Sequence, residues 1–135
     1  MQKISIKRTE EILEKLRNKK IAVIGDVMLD RYFWGSVSRI SPESPVPVVD
    51  VDDESFHLGG AANVASNLKS LGIDPLLCGV LGEDNSGHIF RDIAAERGIN
   101  TTGLFFDTQR PTTVKTRIIG NSQHIARLDR EVRKN

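Results

Sequence analysis

Three short apolar runs, separated by two helical patterns, constrain the fold of this chain more than any other feature. The runs are KIAVIGD at 20–26, DPLLCGVLG at 74–82 and GLFFD at 103–107. Compact apolar runs of this kind are typical of parallel strands that are buried on both faces. Because strand, helix, strand, helix, strand is the pattern of βαβ units with right-handed crossovers, we expect an α/β fold with a parallel sheet in which 20–26 is a central strand.

Helical periodicity fills the two intervals between the runs. The first helix follows Gly60 and ends at Gly72, and the second occupies 83–98 and ends at Gly98. The apolar residues predicted to face the sheet are Ala61, Val64, Ala65, Leu68 and Leu71 in the first helix, and Ile89, Phe90, Ile93 and Ala94 in the second. A further short amphipathic helix, capped by Thr9 and ending near Asn18, is expected on the outside of the fold.

Two other segments, 31–58 and 112–129, do not fit this pattern. The first holds Pro42, Pro45 and Pro47 among short alternating apolar stretches, which favours edge strands. The second is typical of two alternating strands joined around Gly120 and Asn121. We therefore expect these segments to form a small β lid beside the parallel sheet; that residues 1–135 are the substrate-binding portion of a larger domain is implied only by the family resemblance described below.

Composition excludes several classes of function. The 135 residues include 19 Lys and Arg against 18 Asp and Glu, so we expect no nucleic-acid partner. The single cysteine, Cys78, cannot form an intrachain disulfide, which fits a reducing cytoplasmic compartment. No apolar stretch approaches the roughly 18 residues of a membrane span, and we expect no membrane anchoring. The three histidines lack the spacing of metal ligands, so no metal site is predicted.

The first candidate site is the pair Gly59 and Gly60 in front of a helix whose polar face carries Asn63. The chain has neither a P-loop nor a G-x-G-x-x-G stretch, so the two common nucleotide motifs are not met. Backbone N–H groups at a helix start, flanked by small residues and an amide, suit a polyhydroxylated ligand. The alternative is a tight strand-to-helix corner that needs glycine for its backbone angles.

The second candidate site is the carboxylate pair Asp26 and Asp30, which follows the first apolar run. Ligands of open α/β sheets bind at the carboxyl ends of the strands, and a carboxylate there can accept hydrogen bonds from two sugar hydroxyls. The alternative is that Asp26 is a turn residue and Asp30 a solvated carboxylate.

The third candidate site is the cationic pair Lys115 and Arg117. In a strand they share one face with Thr113, while Val114, Thr116 and Ile118 occupy the other. Two cations on one face of the lid could hold a phosphate, with the arginine binding in a bidentate way. The alternative is a solvated strand face on which lysine deters edge pairing.

In the order in which these segments occur, the chain resembles the N-terminal part of ribokinase-like (PfkB) sugar kinases. The resemblance rests on IAVIGDVMLD, SPVPVVDV, GGAANVASNLKSLG, GVLGEDNSG and TTVKTRIIGNSQHIARLD, which together cover nearly the whole chain. It implies a ribokinase-like fold, a three-layer arrangement of parallel sheet and helices with a β lid. It also implies that Asp30, Gly59, Gly60 and Asn63 bind sugar hydroxyls.

Two departures from the ribokinase pattern bear on the substrate. This chain has GGAAN where ribokinases have the one-longer GGKGAN, and Met28 where they have asparagine. Contacts typical of ribose therefore do not carry over, and a larger, phosphorylated sugar is favoured. The resemblance is strongest to members that phosphorylate D-glycero-β-D-manno-heptose 7-phosphate at its anomeric hydroxyl, a step of lipopolysaccharide core synthesis, and that in many bacteria are joined to an adenylyltransferase half.

The same resemblance implies ATP and Mg²⁺ as cosubstrate and metal, bound with the catalytic base in a segment that we expect beyond residue 135. The 135 residues alone are then expected to be catalytically inactive. It further implies a homodimer formed through the lid, in which Val46, Val48, Val49 or Val51 faces a partner. Two alternatives stay open: a PfkB kinase for fructose, another sugar phosphate or a nucleoside, and a non-catalytic dimerisation module.

Overall fold

A computed structural model describes residues 4–17 and 19–132 of the chain. Within these residues the chain forms helices and strands in two groups, one α/β and one all-β. In chain order the elements are α1 (Ile6–Arg17), β1 (Ile21–Ile24), β2 (Val27–Ile40), β3 (Pro47–Gly60), α2 (Ala61–Ser70), β4 (Pro75–Gly82), α3 (Asn85–Glu96), β5 (Asn100–Asp107), β6 (Val114–Gly120) and β7 (Gln123–Arg130).

The parallel sheet has the strand order β1-β4-β5. The side chains of Leu77 and Leu81, in the central strand β4, are fully buried. They pack in one apolar core with residues of both α2 and α3, such as Ala65 and Phe90. Strands with alternating direction would need only tight turns, whereas these parallel strands are joined by helices, as the sequence pattern requires. The α/β class predicted from the sequence is confirmed.

The opposite face of this sheet carries exposed apolar side chains. Ile24 of β1, Val80 of β4 and Phe105 of β5 are 79%, 40% and 70% exposed. The prediction that 20–26 is a central strand buried on both faces is wrong, because β1 lies at the edge of the described sheet and alternates between half-buried and exposed residues. An apolar run indicates that its side chains favour burial, but it does not indicate which neighbouring helices or strands are present to cover them.

The inward face predicted for α2 is confirmed at Ala65 and wrong at Val64 and Leu71. Ala62 and Ala65 are fully buried, whereas Val64 and Leu71 are 51% and 48% exposed. The two alanines let the helix approach the sheet closely, and this packing rotates the valine outward. In α3 the inward placement of Phe90 and Ala94 is confirmed.

The second sheet, which we call the lid, has the strand order β3-β2-β6-β7. β2 pairs antiparallel with β3 and parallel with β6, and β6 pairs antiparallel with β7. The prediction of edge strands in 31–58 therefore holds for β3 and is wrong for β2, which lies inside the sheet. β2 also begins at Val27, so Asp30 lies within a strand.

Local details at two other points also differ from the predictions. Helix α1 begins at Ile6, and Thr9 lies inside it, where its hydroxyl donates a hydrogen bond to Ser5 O (3.2 Å). The predicted end of this helix near Asn18 lies outside the described residues. The turn between β6 and β7 comes one residue later than predicted, since Asn121 and Ser122 have positive φ angles of 51° and 63°. These values are typical of a hairpin turn that matches strand twist.

Candidate functional site

Asp30 and Arg117 form the centre of the candidate site on one face of the lid. Asp30 in β2 lies opposite Lys115 in β6, and Arg117 follows two residues later on the same face. Arg117 Nη1 donates a 2.6 Å hydrogen bond to Asp30 Oδ1, and the two side chains are 21% and 18% exposed. This hydrogen bond, opposed by desolvation and assisted by the carboxylate charge, raises the pKa of Arg117. The ion pair holds the carboxylate in one orientation through Oδ1, and Oδ2 lies against Gly59.

Gly59 permits the close approach of Asp30 to the next strand. A Cβ at this position would come within 2.5 Å of Asp30 Oδ2 and 2.7 Å of Met28 Cγ. Because both neighbours are side chains on β2, any larger residue would displace the carboxylate that Arg117 holds. The first candidate pair of the sequence analysis is thus physically coupled to the second.

Gly60 ends β3 and starts α2 with a φ of 59°, a left-handed backbone angle that favours glycine. The N–H of Ala61 donates to Asp26 O (2.9 Å), which ties the helix start to the segment between β1 and β2. Asn63 is the third residue of α2 and is exposed, and the structure shows no hydrogen bond from it to Asp30, Lys115 or Arg117. The need for glycine at a tight strand-to-helix corner therefore explains Gly60. It does not explain Gly59, where the absence of a side chain lets Asp30 pack closely.

The two cations of the lid face are paired with carboxylates. Lys115 Nζ lies 3.6 Å from Asp129 Oδ2, and Arg127 Nε donates to Asp129 Oδ1 at 2.9 Å. Desolvation opposes ionisation of Asp129, but the hydrogen bond and charge of Arg127 and the charge of Lys115 together lower its pKa. Lys115 and Arg117 share one face, as predicted, and this face alternates positive and negative groups instead of presenting two bare cations.

Aromatic side chains continue the same face and were missed in the sequence analysis. Tyr32 and Trp34 stack with ring centroids 5.7 Å apart, and His57 meets Tyr32 edge-on at 5.4 Å. The guanidinium of Arg117 lies 5.2 Å from the centre of the Tyr32 ring. The period-2 spacing of residues 30, 32 and 34 could have placed these rings beside Asp30. The cross-strand partners depend on register, which the sequence does not reveal.

The described residues contain no group of three or more His, Cys, Asp or Glu side chains arranged to hold a metal ion. These residues therefore form no carboxylate cluster for a resident cation, whereas Mg²⁺ at phosphoryl-transfer sites is commonly held by one or two carboxylates together with substrate phosphates. None of the helices in the described ranges is long and apolar enough to cross a membrane. The free thiol of Cys78 is half-buried.

Relatives with known names match most of the chain. The bifunctional protein HldE of Helicobacter pylori strain J99 is 53% identical over 115 residues, which are 85% of this chain and 25% of that protein. The bifunctional protein HldE of Pelobacter propionicus is 46% identical over 127 residues, which are 94% of this chain and 26% of that protein. The chain thus spans about a quarter of the length of these relatives.

Solved structures share the fold. A carbohydrate kinase from Agrobacterium tumefaciens superposes with a TM-score of 0.66 at 25% identity, covering 82% of this chain and 35% of that chain. A fructokinase from Halothermothrix orenii superposes with a TM-score of 0.59 at 25% identity, covering 82% of this chain and 37% of that chain. The predicted ribokinase-like fold is confirmed. The family model for pfkB family carbohydrate kinases matches residues 18–132, and the chain therefore belongs to that family.

Proposed function

We propose that this chain is the sugar-binding and lid portion of an ATP-dependent kinase that phosphorylates D-glycero-β-D-manno-heptose 7-phosphate at the anomeric hydroxyl. The observation that carries the proposal is the Asp30 carboxylate, held by Arg117 and packed against Gly59. A fixed carboxylate recognises hydroxyls well because it does not have to be ordered when the ligand binds. Family membership and the resemblance of the whole string to heptose kinases support the choice of sugar.

Each residue of the site has a proposed part in this recognition. Asp30 accepts hydrogen bonds from sugar hydroxyls, and Gly59 keeps the space around it free of side chains. Gly60 and Asn63 present the first turn of α2 to the sugar, where N–H groups and an amide suit hydroxyl oxygens. Met28 packs against the same two glycines, which supports a substrate other than ribose.

Lys115 and Arg117 are proposed to attract the 7-phosphate of the substrate. Lys115 is the better placed of the two, because its contact with Asp129 is 3.6 Å long, whereas Arg117 makes a short hydrogen bond with Asp30. A phosphate carries more charge than a carboxylate and can replace Asp129 as the partner of the lysine. The main proposed role of Arg117 is then to hold Asp30 in the hydroxyl-binding site, and contact with the phosphate is its second role.

The catalytic base and the nucleotide site belong to the part of the proposed kinase that these residues do not include. Phosphoryl transfer depends on positioning and on stabilisation of charge around the transferred group. The described residues supply positioning of the acceptor sugar. We place the enzyme in the cytoplasm, where a free thiol and a sugar phosphate substrate are both expected.

A chimera tests the proposal. Residues 18–132 replace the matched segment of the Helicobacter pylori relative, and kcat/KM is measured with heptose 7-phosphate, fructose 6-phosphate and adenosine as acceptors. We expect turnover of the heptose, and Asp30→Ala should lower kcat/KM by roughly ten- to a hundred-fold through loss of a charge-assisted contact. Asp92→Ala, at an exposed carboxylate on α3, is the control. If the chimera instead prefers fructose 6-phosphate or adenosine as acceptor, the proposed heptose substrate is wrong.

The phosphate contact has its own test in the same chimera. Arg117→Ala and Lys115→Ala should each raise KM for heptose 7-phosphate more than KM for the unphosphorylated heptose. Equal effects on both sugars would return the pair to the alternative of a solvated strand face.

We also propose that two copies of the kinase pair through the lid. β3 is an edge strand, and the exposed apolar residues Val46, Val51 and Ile40 lie on or beside its hairpin with β2. An open edge with apolar side chains favours association, and Pro45 and Pro47 limit it to a closed pair. Light scattering of the chimera should show a dimer, and Val51→Lys should give a monomer. A dimer that persists in Val51→Lys, Val48→Lys and Val49→Lys would exclude this interface.

A further inference from the structure

His57 of β3 lies on the same face of the lid as Asp30 and directly across from it. The two residues are partners in the antiparallel register of β2 and β3. Side chains of directly opposed residues project from the same face, with Cβ atoms about 4.5–5.5 Å apart. A sugar whose hydroxyl binds Asp30 therefore comes within reach of the imidazole of His57.

The imidazole of His57 has hydrogen-bonding capacity that the protein leaves unused. Its ring meets Tyr32 edge-on, and within residues 4–17 and 19–132 no hydrogen bond or ion pair joins either ring nitrogen to another group. The side chain is half-buried, and neither nitrogen belongs to the unpartnered polar atoms that are shielded from solvent. A ligand that lies on this face can therefore reach a ring nitrogen.

Lys115 and Arg117, the cations of the same face, differ from His57 because each is already paired with a carboxylate. Lys115 Nζ lies 3.6 Å from Asp129 Oδ2, and Arg117 Nη1 donates to Asp30 Oδ1 at 2.6 Å. A ligand that used one of these donors would disturb an ion pair of the lid. His57 can donate without breaking any hydrogen bond or ion pair among the described residues.

A sugar hydroxyl needs a donor as well as an acceptor. Asp30 supplies acceptors, because an ionised carboxylate offers about four acceptor positions and Arg117 occupies one of them. The hydroxyl that donates to this carboxylate keeps lone pairs on its own oxygen, and a neutral imidazole carries one N–H that can donate to them. A hydroxyl oxygen that leaves water without finding a donor lowers the affinity. The side chains of Asp30 and His57 thus complement each other around one hydroxyl.

Tyr32 contacts both members of this arrangement. Its ring meets the imidazole edge-on with centroids 5.4 Å apart, and the guanidinium of Arg117, which holds Asp30, lies 5.2 Å from the centre of the same ring. Trp34 stacks on Tyr32 with centroids 5.7 Å apart, and its Nε1 donates to Ser55 Oγ (3.1 Å). These contacts restrict the rotation of the Tyr32 ring and, through it, that of the imidazole.

We propose that His57 is a further substrate-binding residue, which donates a hydrogen bond from a ring nitrogen to the oxygen of the sugar hydroxyl that Asp30 accepts from. This inference rests on the sugar site proposed at Asp30. It adds the donor of that site and makes His57 selective for a group that donates on one side and accepts on the other. A deoxy sugar that lacks this hydroxyl loses both contacts.

The test measures the Kd of D-glycero-β-D-manno-heptose 7-phosphate for the 135-residue chain by ¹H–¹⁵N NMR titration. His57→Phe keeps a ring edge against Tyr32 but has no donor, and we expect it to raise Kd about two- to ten-fold, the loss of one hydrogen bond. His57→Gln keeps a side-chain N–H and should raise Kd less than His57→Phe. His124→Phe, at an exposed histidine of β7, is the control and should leave Kd unchanged. In the unmodified chain the ring-nitrogen signals of His57 should shift as the sugar is added.

A role for His57 in packing alone predicts the reverse order of the two variants, with His57→Phe tolerated and His57→Gln impaired, and this result would overturn the proposal. Ring-nitrogen signals that stay in place at saturation would overturn it as well, and this measurement needs no variant to fold. Binding that is lost in Asp30→Ala and unchanged in both His57 variants refutes the role of His57 and leaves the sugar site intact. Binding that is absent in the unmodified chain, or unchanged in Asp30→Ala, refutes the sugar site and the present inference together.

Discussion

The parallel sheet and the lid differ in the kind of side chains that they expose on one face. The uncovered face of β1-β4-β5 is apolar, with Ile24, Val80 and Phe105 exposed, whereas the candidate face of the lid is lined by paired charges and stacked rings. The polar face of the lid can remain in contact with water, whereas the apolar face of the parallel sheet favours burial against another layer. The stability of the α/β part should therefore depend on apolar burial on one face, and the geometry of the lid on a few polar contacts.

The largest expected effect is in the core of the parallel sheet. Leu77→Ala removes a fully buried side chain from β4 and should lower the free energy of unfolding by about 2–5 kcal/mol. Phe105→Ala, on the uncovered face of the neighbouring strand, is the matched control and should cost less than about 0.5 kcal/mol. Urea denaturation followed by circular dichroism measures both. A large loss in Phe105→Ala would mean that this face is covered in solution.

In the lid, Arg117→Ala leaves the half-buried carboxylate of Asp30 without its partner. We expect a loss of about 1–3 kcal/mol, because the hydrogen bond is charge-assisted and both side chains are largely shielded from water. Arg127→Ala removes an arginine whose side chain is 58% exposed and should cost less than about 1 kcal/mol. Equal losses in the two variants would show that the lid is held by general charge balance and not by the Asp30 pair.

Asp84 links the two sheets, and its contribution should depend on pH. Burial raises its pKa, but hydrogen bonds from Thr112 and Gly87 and the charge of Arg130 outweigh this and lower it. A carboxyl with a lowered pKa in the folded state stabilises the protein above its unfolded pKa, and the stabilisation disappears as the pH falls through the folded value. Asp84→Ala should therefore cost about 1–2 kcal/mol near pH 7 and progressively less below about pH 4.

Asp92→Ala, on the exposed face of α3, is the control for this pH dependence. Denaturation midpoints measured from pH 2 to pH 7 give the comparison. A constant difference between Asp84→Ala and the unmodified chain across this range would show that the carboxylate charge is not what stabilises the junction.

The same contrast explains what could be predicted from the sequence. The βαβ order, the helix ends at Gly72 and Gly98, and the inward face of α3 follow from local periodicity and glycine conformation, and all were predicted. The direction of β2 relative to β6, and hence the meeting of Asp30 with Arg117, follows from pairing between segments that are 87 residues apart. Local pattern carries no information on such register.

On α2 the predicted inward face was right at Ala65 but wrong at Val64, for a related reason. Hydrophobicity favoured Val64 over Ala62, but close packing against the sheet favoured the smaller side chain. At the candidate site, Asp30, Lys115 and Arg117 were chosen as candidates by residue type, and the pairing of these charges with one another and with Asp129 was not predicted. From the sequence alone, charged residues that form ion pairs across strands cannot be distinguished from charged residues that bind a ligand.

The parallel pairing of β2 with β6 has a consequence for how the chain folds. The two strands lie side by side, yet β3, α2, β4, α3 and β5 all lie between them in the sequence. Closing so long a loop costs more entropy than closing a hairpin, and contacts of high sequence separation slow the folding of small domains. We therefore expect the βαβ units to form before β6 pairs with β2, so that the contact between Asp30 and Arg117 is made in a late and slow stage of folding.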